Sequence, residues 1–369
     1  MGVEEVGARE SFPVQPIDLV ALSFLPSSRH QLAAAVACAD AADGRLETAL
    51  EWLGHVDDVT DLRRLAREAL DTSRRLGLAY LPLDEPGYPG LLSSIADPPI
   101  GLWVRGRLPE RPSVAVIGSR AASSAALEIA YGLAASLARQ GLCIVSGLAR
   151  GCDGRAHQGA IDGGGETIAV LGCGLDQIYP AEHGPLADAV AAHGAVISEF
   201  PPGTPPLPIH FPLRNRIISG LARAVVVVEA GEKSGSLITA ACALEQGREV
   251  MVVPGPVLSG RNRGAHALLR DGATLVESAD DVLRALSGAM PWLEATAAAT
   301  ARQPAGSEDE DPVLAALDVD EPRDVDDLVS RTGLAPSAIL VRLTELEMAG
   351  RAVRQPGARF VRRPGKVIT

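Results

Sequence analysis

Aromatic side chains are scarce in this sequence: Phe, Tyr and Trp together make up 3% of its 369 residues. Exposed nucleic-acid bases are usually bound by stacking on such rings. A surface that reads bases through many aromatic contacts is therefore not expected. The hydrophobic share of 47% comes mainly from Ala, Val and Leu, which are typical of α/β sheets and the helices that cover them.

The five cysteines form neither a C-x-x-C pair nor a cluster with histidine. Those spacings mark structural zinc sites and disulfide frameworks. We therefore expect neither a metal ion nor a disulfide. Cys38, Cys143, Cys152, Cys173 and Cys242 are interpreted as reduced thiols of a cytoplasmic protein.

Long apolar runs are also lacking. Residues 1–10 are acidic without an apolar segment, and no run reaches the roughly 18 residues of a membrane span. These absences predict a cytoplasmic protein. The formal net charge of -12 disfavours a nucleic-acid partner at first sight, because phosphates attract Lys and Arg. Net charge is an average, however, and a basic groove can lie on an acidic body.

Six short apolar runs, most of them rich in β-branched residues, lie between residues 113 and 287, and helical stretches alternate with them through glycine-containing turns. The runs cover residues 114–117, 142–145, 167–171, 195–197, 224–228 and 250–253. Nearly continuous apolar strands that alternate with helices predict a parallel sheet covered on both faces. The fold class indicated is a doubly wound α/β domain.

The flanking segments differ in composition. Residues 15–76 predict helices, whose arginines either face DNA or form a solvated helix surface. Residues 77–112 are dense in proline and predict an extended connector with one short helix near residues 91–95. Residues 288–311 predict a flexible linker, and residues 312–363 a winged helix. Residues 1–14 and 364–369 are predicted to be a disordered start and a tail.

Phosphate-binding groups are expected where strands give way to helices. In a parallel sheet, ligands bind at the carboxyl ends of the strands, where helix N-termini present N–H groups. The first such turn carries Gly118, Ser119 and Arg120. Glycine allows close approach of the backbone, serine offers a hydroxyl group, and arginine offers a forked cation suited to phosphate. By itself this turn predicts either an anion site or a tight turn with a surface arginine.

A second turn of this kind follows the fifth predicted strand, with Lys233, Ser234, Gly235 and Ser236 at the start of a helix. Two anion sites on one sheet edge suit two phosphates of a polymer better than one small anion. Neither turn has the spacing of a G-x-G-x-x-G or Walker loop, so neither a dinucleotide nor an ATP cofactor is indicated. We expect no cofactor.

Arg214, Asn215 and Arg216 lie between the two turns, just before an apolar helix. Two interpretations stay open for each arginine. It either lines the same pocket or forms a structural ion pair with a carboxylate such as Glu199 or Glu229.

Ser146, Asp153 and His157 follow the second predicted strand and raise the hypothesis of a nucleophilic triad. No G-x-S-x-G elbow is present, and the three residues lie on a single turn and helix start. We therefore interpret Asp153 as a helix N-cap and His157 as a satisfied helix residue. No catalytic residue is predicted.

The winged-helix segment gives an ambiguous signal for DNA binding. Its predicted recognition helix, residues 336–349, carries Glu345 and Glu347 but only one basic residue, Arg342. DNA-reading helices usually carry more cations. The following residues are basic, so either the wing contacts phosphate or the domain docks to a protein.

The turns described above lie within longer motifs, which together are highly specific. The motifs are Tyr88-Pro89 with Asp97-Pro98-Pro99, VAVIGSR at 114–120, VSGLARGCDGRAHQGA at 145–160, TIAVLGCGLDQIYP at 167–180, ISEFPPGTPPLPIHFPLRNRIISGL at 197–221 and VVVVEAGEKSGSLITAACALEQGREVMVVPG at 225–255. The chain resembles the DprA family of bacterial DNA-processing proteins, also called Smf. The resemblance is strong over residues 80–287 and fair over residues 312–363.

The resemblance implies an extended Rossmann-like core at residues 77–287 that forms a homodimer, with a helical, SAM-like N-terminal domain and a C-terminal winged-helix domain. It implies a protein without enzymatic activity that binds single-stranded DNA. Such a protein protects incoming DNA in natural transformation and loads RecA recombinase onto it, with single-strand-binding protein as a further partner. By motif, the DNA-binding residues correspond to Gly118, Ser119, Arg120, Arg214, Asn215, Arg216 and Lys233, and the second turn is completed by Ser234, Gly235 and Ser236.

His266 departs from the family pattern, which usually has Asn in a G-x-N-x-L-I stretch. Two other functions stay open as alternatives. A nucleotide-processing enzyme similar to the phosphoribohydrolases would carry a P-G-G-x-G-T loop, where this sequence has EAGEKSG at 229–235. A winged-helix regulator would prefer one duplex sequence, which the acidic recognition helix disfavours.

Overall fold

A computed structural model describes residues 16–25, 29–42, 45–54, 59–83, 85–287, 311–318, 321–349, 351–355 and 357–362. The chain divides into two compact units, Met1–Glu294 and Ala295–Thr369. The predicted start at 1–14, the predicted tail at 364–369 and all but the last residue of the predicted linker lie outside the described residues. Among the described helices, none has both the length and the apolar character needed to cross a membrane.

A nine-stranded sheet with the order β1-β2-β6-β5-β4-β3-β7-β8-β9 forms the centre of the first unit. Strands β3 to β9 run parallel, whereas β2 pairs antiparallel with both β1 and β6. The strands are β1 (Ala79–Pro82), β2 (Gly101–Gly106), β3 (Ser113–Ile117), β4 (Cys143–Ser146), β5 (Thr167–Val170), β6 (Gly194–Ser198), β7 (Ala224–Val227), β8 (Glu249–Val252) and β9 (Thr274–Leu275).

The five strands at the centre of the sheet, β3 to β7, are buried at every residue. Successive residues point to opposite faces, so Val114 and Val116 join one apolar cluster and Ala115 and Ile117 join the other. A sheet buried on both faces needs apolar residues at every position, which is the pattern of the sequence. The predicted α/β fold with a mostly parallel sheet is confirmed.

Helices connect these strands and cover the sheet. They are α1 (Pro16–Leu22), α2 (Arg29–Ala42), α3 (Leu46–Leu53), α4 (Val59–Leu76), α5 (Gly90–Ser93), α6 (Ser124–Arg139), α7 (Cys152–Asp162), α8 (Gly184–Ala192), α9 (His210–Leu221), α10 (Ser236–Glu245), α11 (Arg263–Arg270) and α12 (Ala279–Ser287), with a 3-10 turn at Ala181–His183. Leu22, Leu32 and Leu46 of the first three helices share one buried cluster with Trp103 and Leu171. The N-terminal helices therefore pack on the sheet, and their predicted boundary at residue 76 stays a prediction.

The connector predicted over residues 77–112 contains two strands, β1 and β2, besides the short helix α5. The density of proline excludes a long helix but not an edge strand. Pro82 lies at the end of β1, the outermost strand, where a missing N–H costs little in the hydrogen-bond ladder. Trp103 of β2 is fully buried, so this segment belongs to the core. The short strand β9 was likewise not predicted.

The second unit contains three helices and a two-stranded hairpin. They are α13 (Pro312–Ala316), α14 (Val325–Thr332), α15 (Pro336–Met348), β10 (Ala352–Gln355) and β11 (Arg359–Arg362). Leu328, Ile339, Leu343 and Phe360 are at the centre of its core, and a bridge from Arg323 to Phe360 ties the hairpin to the helices. The predicted winged helix is confirmed.

Gly132 in α6 and Gly159 in α7 provide a matched test of the packing between these helices. A Cβ atom at Gly132 would meet nothing within 4 Å, whereas one at Gly159 would overlap the carbonyl oxygen of Tyr131. Helix propensity alone predicts a gain for both Ala variants. We expect Gly132→Ala to raise the free energy of unfolding by up to about 1 kcal/mol. Gly159→Ala should lower it by about 2 kcal/mol through overpacking. Urea unfolding measures both, and an equal gain in both variants would contradict the close approach.

Candidate functional site

The two predicted anion turns follow β3 and β7, which are neighbours in the sheet. From β3 the chain builds β4, β5 and β6 to one side and then crosses over to build β7, β8 and β9 on the other. The two strands pair in parallel, with Val114 opposite Ala224 and Ile117 opposite Val227. At such a reversal of strand order, a crevice opens at the carboxyl edge of the sheet. The topology therefore brings both turns to one crevice.

A pocket of about 730 Å³ occupies this crevice. Nine of the ten residues predicted for the site line it: Gly118, Ser119, Arg120, Arg214, Asn215, Lys233, Ser234, Gly235 and Ser236. Arg216 is the exception. The structure thus assembles the two turns and the start of α9 around one cavity.

Gly118 is required by the close approach of three chain segments. A Cβ atom there would lie 2.6 Å from Cys152 Sγ and 3.2 Å from the carbonyl oxygen of Glu229. A side chain would push the turn away from α7 and from the end of β7. Ser123 also connects the two turns, because its hydroxyl group donates to the Glu229 carboxylate at 2.7 Å. That oxygen of Ser123 caps α6 by accepting from the N–H of Ala126 at 3.2 Å.

The turn before α10 presents a helix N-terminus to the pocket. Gly235 stands at the N-cap without a side chain, and the hydroxyl groups of Ser234 and Ser236 lie 2.7 Å apart. Asn215 of α9 connects to this turn by donating from Nδ2 to the carbonyl oxygen of Gly235 at 3.3 Å. Lys233 is exposed. Its charge and the positive end of the helix dipole both favour an anion here.

Arg216 is held in a buried ion pair. Its Nη1 and Nη2 donate to the Glu199 carboxylate at 3.1 and 2.8 Å, and its Nε donates to Asp97 at 3.0 Å. Arg216 and Glu199 are 9% and 4% exposed. Of the two interpretations left open by the sequence, the structural ion pair applies to Arg216. A direct contact with DNA, as its motif suggested, would have to displace both carboxylates.

Arg214 has the opposite environment. It lines the pocket and is only 3% exposed, yet its Nε and Nη1 have no hydrogen-bond partner among the described residues. Burial lowers the pKa of Arg214 to about 10, although the nearby Asp153 carboxylate opposes the shift. The group is still protonated at neutral pH. A buried positive charge therefore lies at the pocket without an ion-pair partner in the described chain.

Two aromatic rings that were not singled out in the sequence also line the pocket. The ring centroids of Tyr179 and Phe211 are 5.5 Å apart, and the guanidinium carbon of Arg120 lies 5.4 Å from the Phe211 centroid. Tyr179 is 42% exposed. Both rings lie next to prolines within the quoted motifs, so a signal was present. The low aromatic share of the whole chain led away from this signal, because composition does not show which rings lie close together in the fold.

Ser146, Asp153 and His157 do not form a triad. Ser146 donates to a backbone carbonyl of β3 at 2.7 Å, and His157 Nδ1 bonds the Thr167 hydroxyl group at 2.7 Å. His157 Nε2 has no hydrogen-bond partner among the described residues, so the interpretation of His157 as satisfied holds for one ring nitrogen only. Asp153 accepts from a backbone N–H of the preceding turn at 3.1 Å. The N-cap of α7 is Gly151, so the prediction of Asp153 as the N-cap is wrong. The carboxylate lies inside the first turn and holds the loop before it.

Several arginines outside the pocket have carboxylate partners. Arg63 of α4 binds two carboxylates of the N-terminal helices, at 2.9 and 3.0 Å, and Arg64 and Arg74 bind carboxylates of their own helix. This favours a solvated helix surface over a DNA-facing one. Arg342 of the winged helix pairs with Asp311 and Glu345. Among the described residues, no group of His, Cys, Asp and Glu could hold a metal ion.

Comparison with known proteins gives consistent matches. A family model described as DNA recombination-mediator protein A matches residues 79–287, and one described as DprA winged helix domain matches residues 297–358. The chain is 42% identical to Protein Smf of Escherichia coli over 285 residues, which is 75% of each sequence. It is 48% identical to DNA processing protein DprA of Streptococcus pneumoniae over 198 residues, 53% of this chain and 70% of the relative. The chain belongs to the DprA family of DNA-processing proteins.

Solved structures of the DprA family share the fold. The structure of DprA from Streptococcus pneumoniae matches with a TM-score of 0.64 at 35% identity, covering 74% of this chain and 98% of that one. DNA processing protein A from Helicobacter pylori, whose structure concerns a single-stranded DNA binding mode, matches with a TM-score of 0.52 at 29% identity. That match covers 57% of this chain and 95% of the other.

His266, the departure from the DprA pattern, makes a polar contact of its own. Its Nε2 lies 3.1 Å from the carbonyl oxygen of Gly255. Because a carbonyl group can only accept, Nε2 carries the proton. The imidazole therefore ties α11 to the turn that follows β8.

The burial of His157 leads us to expect that the folded protein loses stability in acid. Burial lowers its pKa to about 3, whereas the unfolded chain has a value near 6.5. Between these values the unfolded chain binds more protons, so the free energy of unfolding decreases as the pH is lowered, by up to about 1.4 kcal/mol per pH unit. We expect His157→Gln to lose this slope between about pH 6 and pH 4. Urea unfolding over a pH series measures it. His193→Gln is the control, since His193 is exposed, and parallel slopes in wild type and His157→Gln would refute the assignment.

Proposed function

We propose that this chain binds single-stranded DNA in the pocket between β3 and β7, protects incoming DNA, and loads RecA recombinase onto it in natural transformation and recombination. The observation that carries the proposal is the convergence of Arg120, Arg214 and Lys233 on one pocket at the N-terminus of α10. Charge-assisted hydrogen bonds make arginine and lysine the usual partners of phosphate.

The aromatic rings favour a single strand over a duplex. Tyr179 and Phe211 lie beside the cationic residues of the pocket. Unstacked bases can pack on such rings, whereas the bases of a duplex are occupied with each other. The Helicobacter pylori relative with a single-stranded DNA binding mode supports this choice. With only two rings in the pocket, we expect little preference among bases.

A homodimer formed through the sheet core would raise the affinity of an acidic chain. The net charge of -12 repels DNA except near the pocket. Two pockets on one assembly bind one strand with the advantage of high effective concentration. The outer strand β9 is one candidate contact, because Leu275 is 51% exposed at the edge of the sheet.

Binding rather than catalysis is proposed for the pocket. Asp153 is the one carboxylate among the described residues that line it, and burial raises the pKa of this group. It already accepts a backbone hydrogen bond. The loop at 229–235 lacks the P-G-G-x-G-T pattern of the phosphoribohydrolase-like enzymes. Measurable release of ribose 5-phosphate from a nucleoside monophosphate would argue for that alternative.

Arg120→Ala and Lys233→Ala test the pocket directly. We expect each to weaken binding of a fluorescent single-stranded oligonucleotide and to reduce the slope of log affinity against log salt by about 0.7. Fluorescence anisotropy over a series of salt concentrations measures both quantities. A double variant that binds like wild type at every salt concentration would contradict the assignment.

Arg139→Ala is a matched control for this series. Arg139 is an exposed arginine at the C-terminal end of α6, away from the carboxyl edge of the sheet. Its removal changes the net charge by the same amount as Arg120→Ala, so it should leave affinity and salt slope nearly unchanged. A duplex of the same sequence serves as the second ligand and should bind more weakly than the single strand.

RecA loading requires a separate measurement. On a strand coated with single-strand-binding protein, we expect wild-type protein to shorten the lag before RecA hydrolyses ATP. The Arg120→Ala/Lys233→Ala double variant should not shorten the lag, because it cannot hold the strand. Wild-type protein that binds the strand but leaves the lag unchanged would refute RecA loading and leave DNA binding intact.

A further inference from the structure

The buried charge of Arg214 is not balanced within the described chain. The side chain is 3% exposed, its Nε and Nη1 have no hydrogen-bond partner among the described residues, and it forms no ion pair there. Arg216, at similar depth, is satisfied by two carboxylates. A buried cation without a counter-ion is costly. A negatively charged ligand at this position would remove that cost, which adds to its binding free energy. A solvated surface cation carries no such cost, so the same contact there would contribute less.

The surroundings of Arg214 preserve this imbalance. Gly147 makes room for the guanidinium group, since a Cβ atom at Gly147 would overlap Arg214 Nη1. Asp153 is close enough to oppose the fall of the Arg214 pKa, but it accepts from the N–H of Gly147 and forms no ion pair with Arg214. The carboxylate is thus fixed in a position where it offsets the charge only in part.

The charges that line the pocket match a doubly charged anion. Arg120, Arg214 and Lys233 contribute three positive charges and Asp153 one negative charge, which leaves an excess of two. A phosphodiester within a strand carries one negative charge. A phosphate monoester carries between about 1.5 and 2 at pH 7. One monoester or two successive diesters would neutralise this excess, and the depth of Arg214 distinguishes between them.

The depth of Arg214 favours a monoester. Arg120 and Lys233 are exposed, whereas Arg214 is almost fully buried. A diester is tethered to the chain on both sides, so it cannot reach far into a recess. A terminal phosphate has one ester bond and can enter end-on. The next phosphates of the strand would then lie near the exposed cations.

We propose that the part of the pocket at Arg214 binds a terminal phosphate monoester, so that the chain holds a phosphorylated end of a DNA strand more tightly than an internal segment. The proposal rests on the single-stranded DNA binding proposed above. It adds a preference for strand ends and assigns that preference to one residue.

Four oligonucleotides of one sequence with one internal fluorophore test this preference. They carry a 5′-phosphate, a 3′-phosphate, hydroxyl groups at both ends, or a 5′-phosphate blocked as its methyl ester. We expect one phosphorylated strand to bind roughly tenfold tighter than the hydroxyl strand, a difference of about 1.4 kcal/mol. The methyl ester keeps the phosphate but has one charge fewer, so it should bind like the hydroxyl strand. Equal affinity for all four would overturn the strand-end preference and leave DNA binding intact, whereas binding of none would overturn both.

Arg214→Met removes the charge at similar volume and should reduce the affinity ratio of phosphorylated to hydroxyl strand to about one. Arg139→Ala should keep the wild-type ratio. An unchanged ratio in Arg214→Met would overturn the assignment.

Wild-type protein gives a second measurement that does not depend on the folding of a variant. Inorganic phosphate should raise its melting temperature with the concentration dependence of binding to one site, in addition to the general stabilisation that an excluded salt gives. Sodium chloride, which does not bind the site, is the control, and a rise with phosphate that shows only the general salt effect would also overturn the proposal.

Deoxyadenosine 5′-monophosphate distinguishes a strand end from a free nucleotide. It carries the same monoester but lacks the neighbouring phosphates that Arg120 and Lys233 would hold. We expect it to displace the phosphorylated strand only at a large excess, and deoxyadenosine not to displace it at all. Displacement by the nucleotide at equal concentration would identify a free nucleotide as the ligand and overturn the strand-end proposal.

Discussion

Parallel pairing of β3 with β7 brings the turns at 118–120 and 229–236 together, although they are far apart in the chain. Their helices, α6 and α10, start at the same edge of the sheet, and a crevice opens between them. The close approach at Gly118 and the hydrogen bond from Ser123 to Glu229 then fix the distance between the turns. Without this pairing, each turn would be an isolated loop with one cation.

Helix α9 carries one arginine in a structural ion pair, Arg216, and one that lines the pocket, Arg214. Residues two positions apart on an α-helix are rotated by about 200° about its axis, so Arg214 and Arg216 point to nearly opposite sides. One side meets Glu199 and Asp97, and the other meets the pocket. The ion pair of Arg216 anchors the helix, and this anchoring positions Arg214 and Asn215. The residue that stabilises the helix and the residue that lines the pocket therefore lie within one turn of the same helix.

Charge on this chain is organised locally. Carboxylates neutralise arginines of the N-terminal helices and of the winged helix, including Arg63, Arg64 and Arg342. At the pocket, Arg120 packs on Phe211, and Arg214 has no ion-pair partner among the described residues. An acidic body with a small cationic crevice repels polyanions broadly and attracts them at one place. This distribution explains how a chain with a net charge of -12 can belong to a family of DNA-processing proteins.

The parallel α/β core, the winged helix and the residue types at the two turns could be predicted from the sequence, because apolar runs, turn residues and family motifs are local in the chain. The sequence left the roles of Arg214 and Arg216 open, missed β1 and β2, and misplaced the N-cap of α7. The arginine roles and the two strands depend on partners distant in sequence: Asp97 and Glu199 for Arg216, and β6 for β2, on which β1 then pairs. The N-cap of α7 is a local feature, which the preference of Asp for N-cap positions misplaced by two residues. The three-dimensional packing determines which arginine is neutralised and which has no ion-pair partner in the described chain, because the outcome depends on the side of the helix and the depth at which each side chain lies.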